Sequence, residues 1–451
     1  MRKNALAIAL LAIIVCFSGF VQAAEQPLPR LTLISNVNIF DGKTENLHKN
    51  MHVLVKDNFI ETVSNEPLAV IQTDNVTMID GGGRTLMPGL IDAHWHTTYS
   101  YLSQAEMFIS DVAMITIAAV KGAEPTLMRG FTTVRDMGGN CFSLKKAIDR
   151  GMINGPRIYP SGAPICQTSG HFDFRGPNDV PANNTDPLSY FERNGVVMVA
   201  DGVPEVIKRV RENLRMGATQ IKLAAGAGVS SLYDPLDVSE YTYEELKAAV
   251  DVAKTWNTYV AVHVFTDEAV QTSLKAGVKS IEHGMLLSEE TLKMIKEKGA
   301  WLSIQPLLND EDAFEFADPV SNRKFINVTE GTVKVYELAK MLGVKIAFGT
   351  DMLFDPEIAA KQGKFLTKLK RWFTPYEALK MATSTNAELL ALSGPRNPYP
   401  EGPLGVIEEG AYADLLLVDG NPLQNLDLVA DPDKNFVVIM KDGKIYKNTV
   451  Q

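Results

Sequence analysis

The feature that most constrains this chain's fold is a regular alternation of short apolar segments with helical ones between residues 88 and 402. Helix starts are marked by capping boxes at Thr242 and Thr374, the second with Pro375 at the first helical position. Eight strands alternating with helices predict an α/β fold, a (β/α)8 TIM barrel, with reactive side chains at the C-terminal strand ends. The predicted strands span residues 90–94, 132–135, 158–161, 220–224, 259–264, 280–282, 301–305 and 345–348.

Both ends of the chain look different, because short strands separated by turn residues replace the alternation there. Residues 30–87 and 403–451 have this pattern, and Asp442-Gly443 is typical of a two-residue hairpin turn. Two strand-rich ends around a helical middle predict one small composite β-sandwich domain built from both termini. The 451 residues suffice for a barrel of about 250 residues over 88–402 and for this smaller domain.

The first residues have the pattern of an export signal. Two positive residues precede an apolar stretch over 5–21, and Val21-Gln22-Ala23 supplies a small-residue cleavage site. The pattern predicts a signal peptide over 1–23, cleaved near Ala23, and a periplasmic or secreted protein. A membrane anchor is the alternative, but the stretch is short and Ser18 and Gly19 interrupt its end.

Charge and cysteine content limit the chemistry further. The net charge is −10 and no basic run is present, which argues against nucleic acid as a partner. Without the signal peptide, Cys141 and Cys166 remain. In an exported protein the two could form a disulfide, although their spacing does not decide it. Neither lies in a motif that would activate a thiol nucleophile.

The histidines are sorted along the chain in a way that indicates a metal site. Five of the seven lie at predicted strand ends or in the following loops, and an aspartate ends the eighth strand. An H-x-H pair alone also fits ordinary polar residues at a strand end, but strand ends of one barrel converge. Imidazole and carboxylate ligands suit Zn²⁺. The candidate residues are His94, His96, His171, His263, His283 and Asp351.

Lys222 stands on the fourth predicted strand, among these candidates. An ammonium group repels a metal ion, so the residue as such is a poor ligand. A buried lysine can lose its proton, however, and the neutral amine can then add CO2 to form a carbamate, a two-oxygen anion able to bridge two metals. A salt-bridged lysine at the barrel mouth is the alternative.

Several segments together resemble the metal-dependent amidohydrolase superfamily: PGLIDAHWH, TTVRDMGG, GPRIYPSG, IKLAAGAG, VHVF, IEHG, FGTD and GVIEEGAYADLLLVDGNPL. The resemblance runs from about residue 30 to the end. Within the superfamily the chain is most similar to the prolidase-like branch, with Xaa-Pro dipeptidases and imidazolonepropionase-related enzymes, and also to ochratoxin-hydrolysing amidases. The resemblance implies a binuclear site with two divalent metal ions, most suitably Zn²⁺.

The resemblance also implies a role for each candidate. His94, His96 and Asp351 would bind one metal, His263 and His283 the other, and Lys222, carboxylated by CO2 to N6-carboxylysine, would bridge both. His171 would polarise the scissile carbonyl. The resemblance further implies a homo-oligomer, since relatives are often octamers.

Substrate contacts are less constrained. Arg175, Tyr233 and Tyr241 lie in the loops after the third and fourth strands, where each could meet a substrate carboxylate, Arg175 as a bidentate pair. The alternative for each is an ordinary surface residue of a loop. Two departures from the family pattern lie nearby, because Phe265 stands where relatives often carry an aromatic hydroxyl and Ser169 replaces the first glycine of a GGH motif.

These observations predict an exported binuclear zinc amidohydrolase that cleaves dipeptides or N-acyl amino acids with a metal-bridging hydroxide. Asp351 would take the proton from the hydroxide and pass it to the leaving amine, as base and then acid. Lactonase, imidazolonepropionase-like or phosphotriesterase activity on the same scaffold is the alternative, since the fold alone does not separate them. A binding protein that keeps the barrel without catalysis is a third interpretation. It is disfavoured because every ligand position is occupied by a residue that can bind metal.

Overall fold

The computed structural model describes residues 28–450 apart from 177, 182–185, 232, 315 and 317. The predicted signal peptide over 1–23 lies outside these residues. In chain order the strands are β1 (Leu31–Ile39), β2 (His48–Lys56), β3 (Phe59–Ser64), β4 (Val76–Asp80), β5 (Thr85–Pro88), β6 (Leu90–Trp95), β7 (Phe131–Asp136), β8 (Arg157–Pro160), β9 (Ile165–Cys166), β10 (Met198–Val199), β11 (Ile221–Ala224), β12 (Val260–Val264), β13 (Ser280–His283), β14 (Trp301–Ile304), β15 (Lys345–Phe348), β16 (Leu415–Val418), β17 (Phe436–Lys441) and β18 (Lys444–Asn448).

Helices connect the middle strands, as the alternation predicts. They are α1 (Gln104–Ile109), α2 (Val112–Met128), α3 (Phe142–Asp149), α4 (Tyr190–Arg193), α5 (Gly202–Met216), α6 (Tyr243–Thr255), α7 (Asp267–Ala276), α8 (Glu289–Glu297), α9 (Pro319–Leu342), α10 (Pro356–Ala359), α11 (Gln362–Lys368), α12 (Pro375–Lys380), α13 (Asn386–Leu390) and α14 (Pro432–Asn435). Both predicted capping boxes are present, at Thr242 with Glu245 and at Thr374 with Glu377. Short 3₁₀ segments occupy Leu369–Arg371, Ala391–Arg396 and Leu426–Ala430, and a π-helical turn Met381–Thr385.

The α/β prediction is confirmed, and each of the eight predicted strands is found within one residue of its predicted ends. The strands pair in parallel within two sheets, one of order β6-β7-β8 and the other of order β10-β9-β11-β12-β13-β14-β15. The two-residue strands β9 and β10 were not predicted, because two residues carry no periodicity. Apolar side chains from these strands and their helices form the largest buried cluster.

Side chains and single backbone hydrogen bonds, rather than a strand ladder, join the two parallel sheets in the described part of the chain. Between β15 and β6, the amide of Asn386 donates to the carbonyls of Ile91 and Phe348, both at 2.7 Å, and accepts from the Phe348 amide at 3.0 Å. Between β8 and β11, the amide of Gln220 donates to the Tyr159 carbonyl at 2.9 Å. The strand ends of both sheets are thereby held at one rim.

Both ends of the chain contribute to a third sheet. Its order is β18-β17-β16-β5-β1-β2-β3, with β4 paired to β1, and it has its own apolar cluster. The predicted hairpin turn joins β17 to β18, with Asp442 at φ 53° and Gly443 at φ 60°, as a type I′ turn requires. The domain division at 30–87, 88–402 and 403–451 stays a prediction. No helix among the described residues is both long and apolar enough to cross a membrane.

Candidate metal centre and active site

The candidate residues predicted from the strand ends lie in one connected group. The ring centroids of His94 lie 5.3 Å from those of His96 and 4.9 Å from those of His283. His263 lies 4.3 Å from His283 and 3.9 Å from His171, again between ring centroids. Five histidines from four strands or loops therefore form a continuous set of neighbouring rings.

Three of these residues form a compact donor set. His94, His96 and Asp351 each offer one ligand atom, and these atoms all lie within 4.8 Å of one another. Oδ1 of Asp351 is 3.3 Å from Nε2 of His94 and 3.1 Å from Nε2 of His96. Both histidines are buried. A carboxylate oxygen close to two imidazole nitrogens is an arrangement that can bind a divalent cation between the three groups.

Lys222 connects this set to the other two histidines. Its side chain is buried, and its Nζ lies 3.4 Å from Nε2 of His94. Beyond it, His263 donates from Nε2 to the carbonyl of Ala227 at 3.1 Å. His283 donates from Nδ1 to Oε1 of Gln305 at 2.7 Å. In each of these histidines a protein acceptor engages one ring nitrogen and leaves the other available.

Glu282 likewise engages one ring nitrogen of His94 and leaves the other available. Its Oε2 accepts from Nδ1 of His94 at 2.8 Å, so that Nε2 is the nitrogen turned toward Asp351. Arg135 in turn donates from one terminal nitrogen to both oxygens of Glu282, at 2.9 and 2.8 Å. Both side chains are fully buried. A carboxylate that orients a metal-binding histidine is a common outer contact of metal sites.

The backbone bends sharply at two of the candidate ligands. His283 ends β13 at φ 74°, and Asp351 lies beyond β15 at φ 53°. Successive side chains of a strand normally point to opposite faces. The left-handed conformation of His283 turns its ring to the side on which Glu282 already lies, so that both reach His94. Such conformations are unfavourable for residues with a Cβ and cluster at functional sites.

The electrostatics of the site favour neutral imidazoles and a charged carboxylate, and they make Lys222 easier to deprotonate than an exposed lysine. Burial, helped by the charge of Lys222, holds the pKa of His94 well below its usual value, and burial lowers the pKa of His283 to about 4. Burial also lowers the pKa of Lys222 to about 8. Burial alone would raise the pKa of Asp351, but His94 and the neighbouring histidines outweigh it and lower that pKa. These are the protonation states in which such groups bind metal ions.

The ring nitrogens of the site give a direct test of whether a metal fits. Nε2 of His283 is buried without a hydrogen-bond partner among the described residues, and Nε2 of His96 faces only the carboxylate of Asp351. Buried polar atoms are rarely left unpaired in proteins. Together with the carboxylate of Asp351, these imidazoles make a donor set that fits divalent metal ions.

His171 lies beside this group, whereas the residues predicted to contact substrate are engaged elsewhere or exposed. Arg175 pairs through two nitrogens with Asp173 in its own loop. Tyr241 is buried and donates its hydroxyl to the carbonyl of Ala200 at 2.9 Å. Tyr233 is 56% exposed. Their contact with a substrate stays a prediction.

The two departures from the family pattern lie against the site. Phe265 packs its ring on His283 with centroids 5.2 Å apart, so an aromatic ring without a hydroxyl faces the candidate ligands. Ser169 has φ 62°, the left-handed conformation that glycine adopts most easily. At Gly170 a Cβ would lie 2.6 Å from Oε2 of Glu240 and 3.0 Å from the carbonyl oxygen of Gln167, so a larger residue would crowd this carboxyl group. Cys141 and Cys166 are free and buried.

The sequence did not reveal the residues that support the ligands. Glu282 directly precedes a predicted ligand, and strand alternation would have assigned it to the opposite face. Arg135 lies on β7 within the motif TTVRDMGG, but nothing in the sequence indicates that it pairs with Glu282. A buried charge in an apolar strand was the one available signal, since such a charge requires a partner.

Comparisons with known proteins agree with this geometry. Residues 85–450 match the amidohydrolase family. The chain is 30% identical over 439 residues to an ochratoxinase of Aspergillus niger, covering 93% of this chain and 87% of that protein. A crystal structure of a prolidase complexed with N-methylphosphonate-L-proline has a TM-score of 0.84 and 34% identity, covering 93% of this chain and 100% of its own. One of a Xaa-Pro dipeptidase with bound methionine in the active site has a TM-score of 0.80 and 29% identity, with the same coverage.

Proposed function

The chain belongs to the amidohydrolase family and is a hydrolase of amide bonds, and on that premise we propose that it is an exported binuclear zinc enzyme acting on dipeptides or N-acyl amino acids, ochratoxin-type amides included. The convergence of His94, His96, Asp351, His263, His283 and Lys222 is the observation that carries the proposal. Similarity to a prolidase and a Xaa-Pro dipeptidase supports a substrate with an amino acid on the leaving side.

In this enzyme the two parallel sheets would be arcs of one (β/α)8 barrel, and the third sheet would be the composite domain. His94, His96 and Asp351 would hold one metal, His263 and His283 the other, with carboxylated Lys222 between them. The lowered pKa of Lys222 supports the carbamate, because only the neutral amine adds CO2. Bound zinc ions would supply a water of lowered pKa and a Lewis acid for the substrate carbonyl.

The protein groups then handle protons and orientation. Asp351 accepts the proton of the attacking water and delivers it to the amide nitrogen as the carbon–nitrogen bond breaks, which leaves a carboxylic acid and a free amine. The lowered pKa of Asp351 makes it a charged acceptor before attack. His171 lies beside His263, where it could contact the scissile carbonyl.

The decisive test combines metal analysis with a substrate panel. We expect about two zinc ions per chain, and release of one class of amino acid from N-acyl amino acids with C-terminal Pro, Phe, Arg or Lys. Two zinc ions with hydrolysis of lactones or phosphotriesters alone would refute the amide assignment. One metal or none per chain would refute the binuclear site and the carbamate.

Asp351→Asn tests the proton transfer. Because an amide nitrogen must be protonated to leave, we expect kcat on the best amide substrate to fall about 10²- to 10⁴-fold. Asp427→Asn removes the charge of an exposed aspartate that pairs with Lys370, and serves as the matched control. Near-normal amide hydrolysis by Asp351→Asn would contradict the role.

A further inference from the structure

A buried lysine far along the chain shapes the loop beside His171. Lys324 of α9 donates from Nζ to the carbonyls of Gly228 at 3.0 Å, Ser231 at 2.7 Å and Asp234 at 2.7 Å. It is 6% exposed, and its charge faces Oδ1 of Asp234 at 3.4 Å. An ammonium group has three donors, and three carbonyls of one loop take them. The loop that follows β11 is therefore fixed by a single side chain of another element.

The same loop reaches the ring of His171. Oδ2 of Asp234 accepts from the hydroxyl of Ser231 at 2.6 Å and from the Gly228 amide at 2.9 Å. Oγ of Ser231 lies 2.8 Å from Nδ1 of His171. A serine hydroxyl has one proton, and the short bond to a carboxylate holds it. Oγ must therefore accept from Nδ1–H of His171, which leaves Nε2 as the free ring nitrogen.

Packing restricts the ring of His171 from one further side, and a second contact holds its backbone. A Cβ at residue 228 would lie 1.8 Å from the ring, so only glycine allows this approach. Glu240 accepts from the His171 backbone amide with both oxygens, at 2.9 and 3.1 Å. Burial and the nearby Asp234 raise the pKa of Glu240 to about 9, which favours its neutral form.

We propose that Lys324, Asp234 and Ser231 are positioning residues that hold His171 with a proton on Nδ1 and with Nε2 directed to the substrate. Among the described residues none forms a hydrogen bond with that Nε2. That Nε2 faces a substrate rests on the proposed amide hydrolysis. The orientation of the ring follows from the hydrogen bonds alone.

The test observes the ring itself. Zinc-loaded protein with ¹⁵N-labelled histidine rings gives a two-bond ¹H–¹⁵N spectrum in which His171 is assigned by its loss in His171→Gln. We expect the wild type to show the Nδ1-protonated pattern, and Ser231→Ala to shift it. Ser231→Ala should also lower kcat about tenfold with KM within about twofold, the size of one lost hydrogen bond. Zinc content should stay unchanged, and Ser231→Thr should restore the spectrum and kcat.

Lys324→Met tests the more distant part of the arrangement, with Lys340→Met as its matched control. Lys340 lies on the same helix, donates to the carbonyl of Trp372 at 2.9 Å and pairs with Glu377 at 2.8 Å. Only Lys324→Met should change the His171 signal. Should that variant fail to fold, Ser231→Ala decides alone.

Two outcomes separate this inference from the proposed function. An unchanged His171 signal and an unchanged kcat in Ser231→Ala would overturn the positioning role. A wild type that hydrolyses no amide, but whose His171 signal responds to Ser231→Ala as expected, would overturn the amide assignment and leave the positioning intact.

Discussion

Glu282 shows how much a single side chain contributes to the site without being a candidate ligand. It accepts from Nδ1 of His94 and is itself held by Arg135, which also donates to the carbonyl of Ala93. The hydrogen bond to Glu282 thus decides which nitrogen of His94 faces Asp351, and the two hydrogen bonds from Arg135 hold Glu282 in place.

We expect Glu282→Gln to weaken zinc binding about 10- to 100-fold, because the amide no longer enforces the tautomer of His94. Zinc affinity is measured by competition with a chelator, and excess zinc should recover part of the activity. Glu290→Gln, on the exposed side of α8, is the control. Wild-type zinc affinity in Glu282→Gln would show that His94 needs no such partner.

At the scale of elements, one buried cation joins the parallel strands to the sheet formed by the chain ends. Arg157 of β8 donates to both oxygens of Asp414, at 3.0 and 3.3 Å, and contacts Asp442 in the β17–β18 turn. Its guanidinium also lies over the ring of Tyr412, 3.9 Å from the centroid. The hairpin is therefore positioned by a residue of the other sheet.

Arg157→Met should lower the free energy of unfolding by about 3–5 kcal/mol, because Asp414 would stay buried without its partner. Chemical denaturation of the metal-loaded protein measures this. Arg215→Met removes an exposed arginine paired with Glu212 on one helix turn and should cause no measurable change. Equal effects of the two substitutions would mean that the contacts of Arg157 contribute no more to the free energy of unfolding than a surface ion pair does.

At the scale of the whole molecule, the candidate ligands come from both parallel sheets. His94 lies on β6 and His96 directly after it. Lys222, His263 and His283 belong to the other parallel sheet, and Asp351 follows β15 at the gap between the two. The gap is joined by Asn386 and by a backbone bond from Asp351 to His94 at 2.8 Å. Metal ions bound here would connect the two sheets.

Removing the metal with a chelator should therefore loosen the gap before the rest of the fold. Hydrogen exchange followed by mass spectrometry should show that β6 and β15 lose protection. Strands β17 and β18 should keep theirs, because they lie in the third sheet, which the two chain ends form. A uniform loss of protection across all strands, or none at all, would contradict a connecting role.

How far the sequence predicts this molecule depends on the range of the interactions involved. The strands and the ligand candidates follow from local periodicity and from residue types at strand ends. Lys324 could not be found in this way, because its partners lie about 90 positions earlier and no local pattern marks it. For Tyr241 the sequence shows only a loop position, whereas the burial of its ring and the hydrogen bond of its hydroxyl to the Ala200 carbonyl depend on packing between distant segments. Its contact with a substrate stays a prediction.

The left-handed backbone at His283 and Asp351 has an evolutionary consequence. Each such conformation costs about 1–2 kcal/mol for a residue with a Cβ, and glycine would avoid most of it. With the proposed metal-binding roles, selection for catalysis would keep these two side chains in place against a standing advantage for glycine. In descendants freed from that selection, we expect glycine or asparagine to accumulate at both positions first, which would make them a record of whether a lineage still performs the reaction.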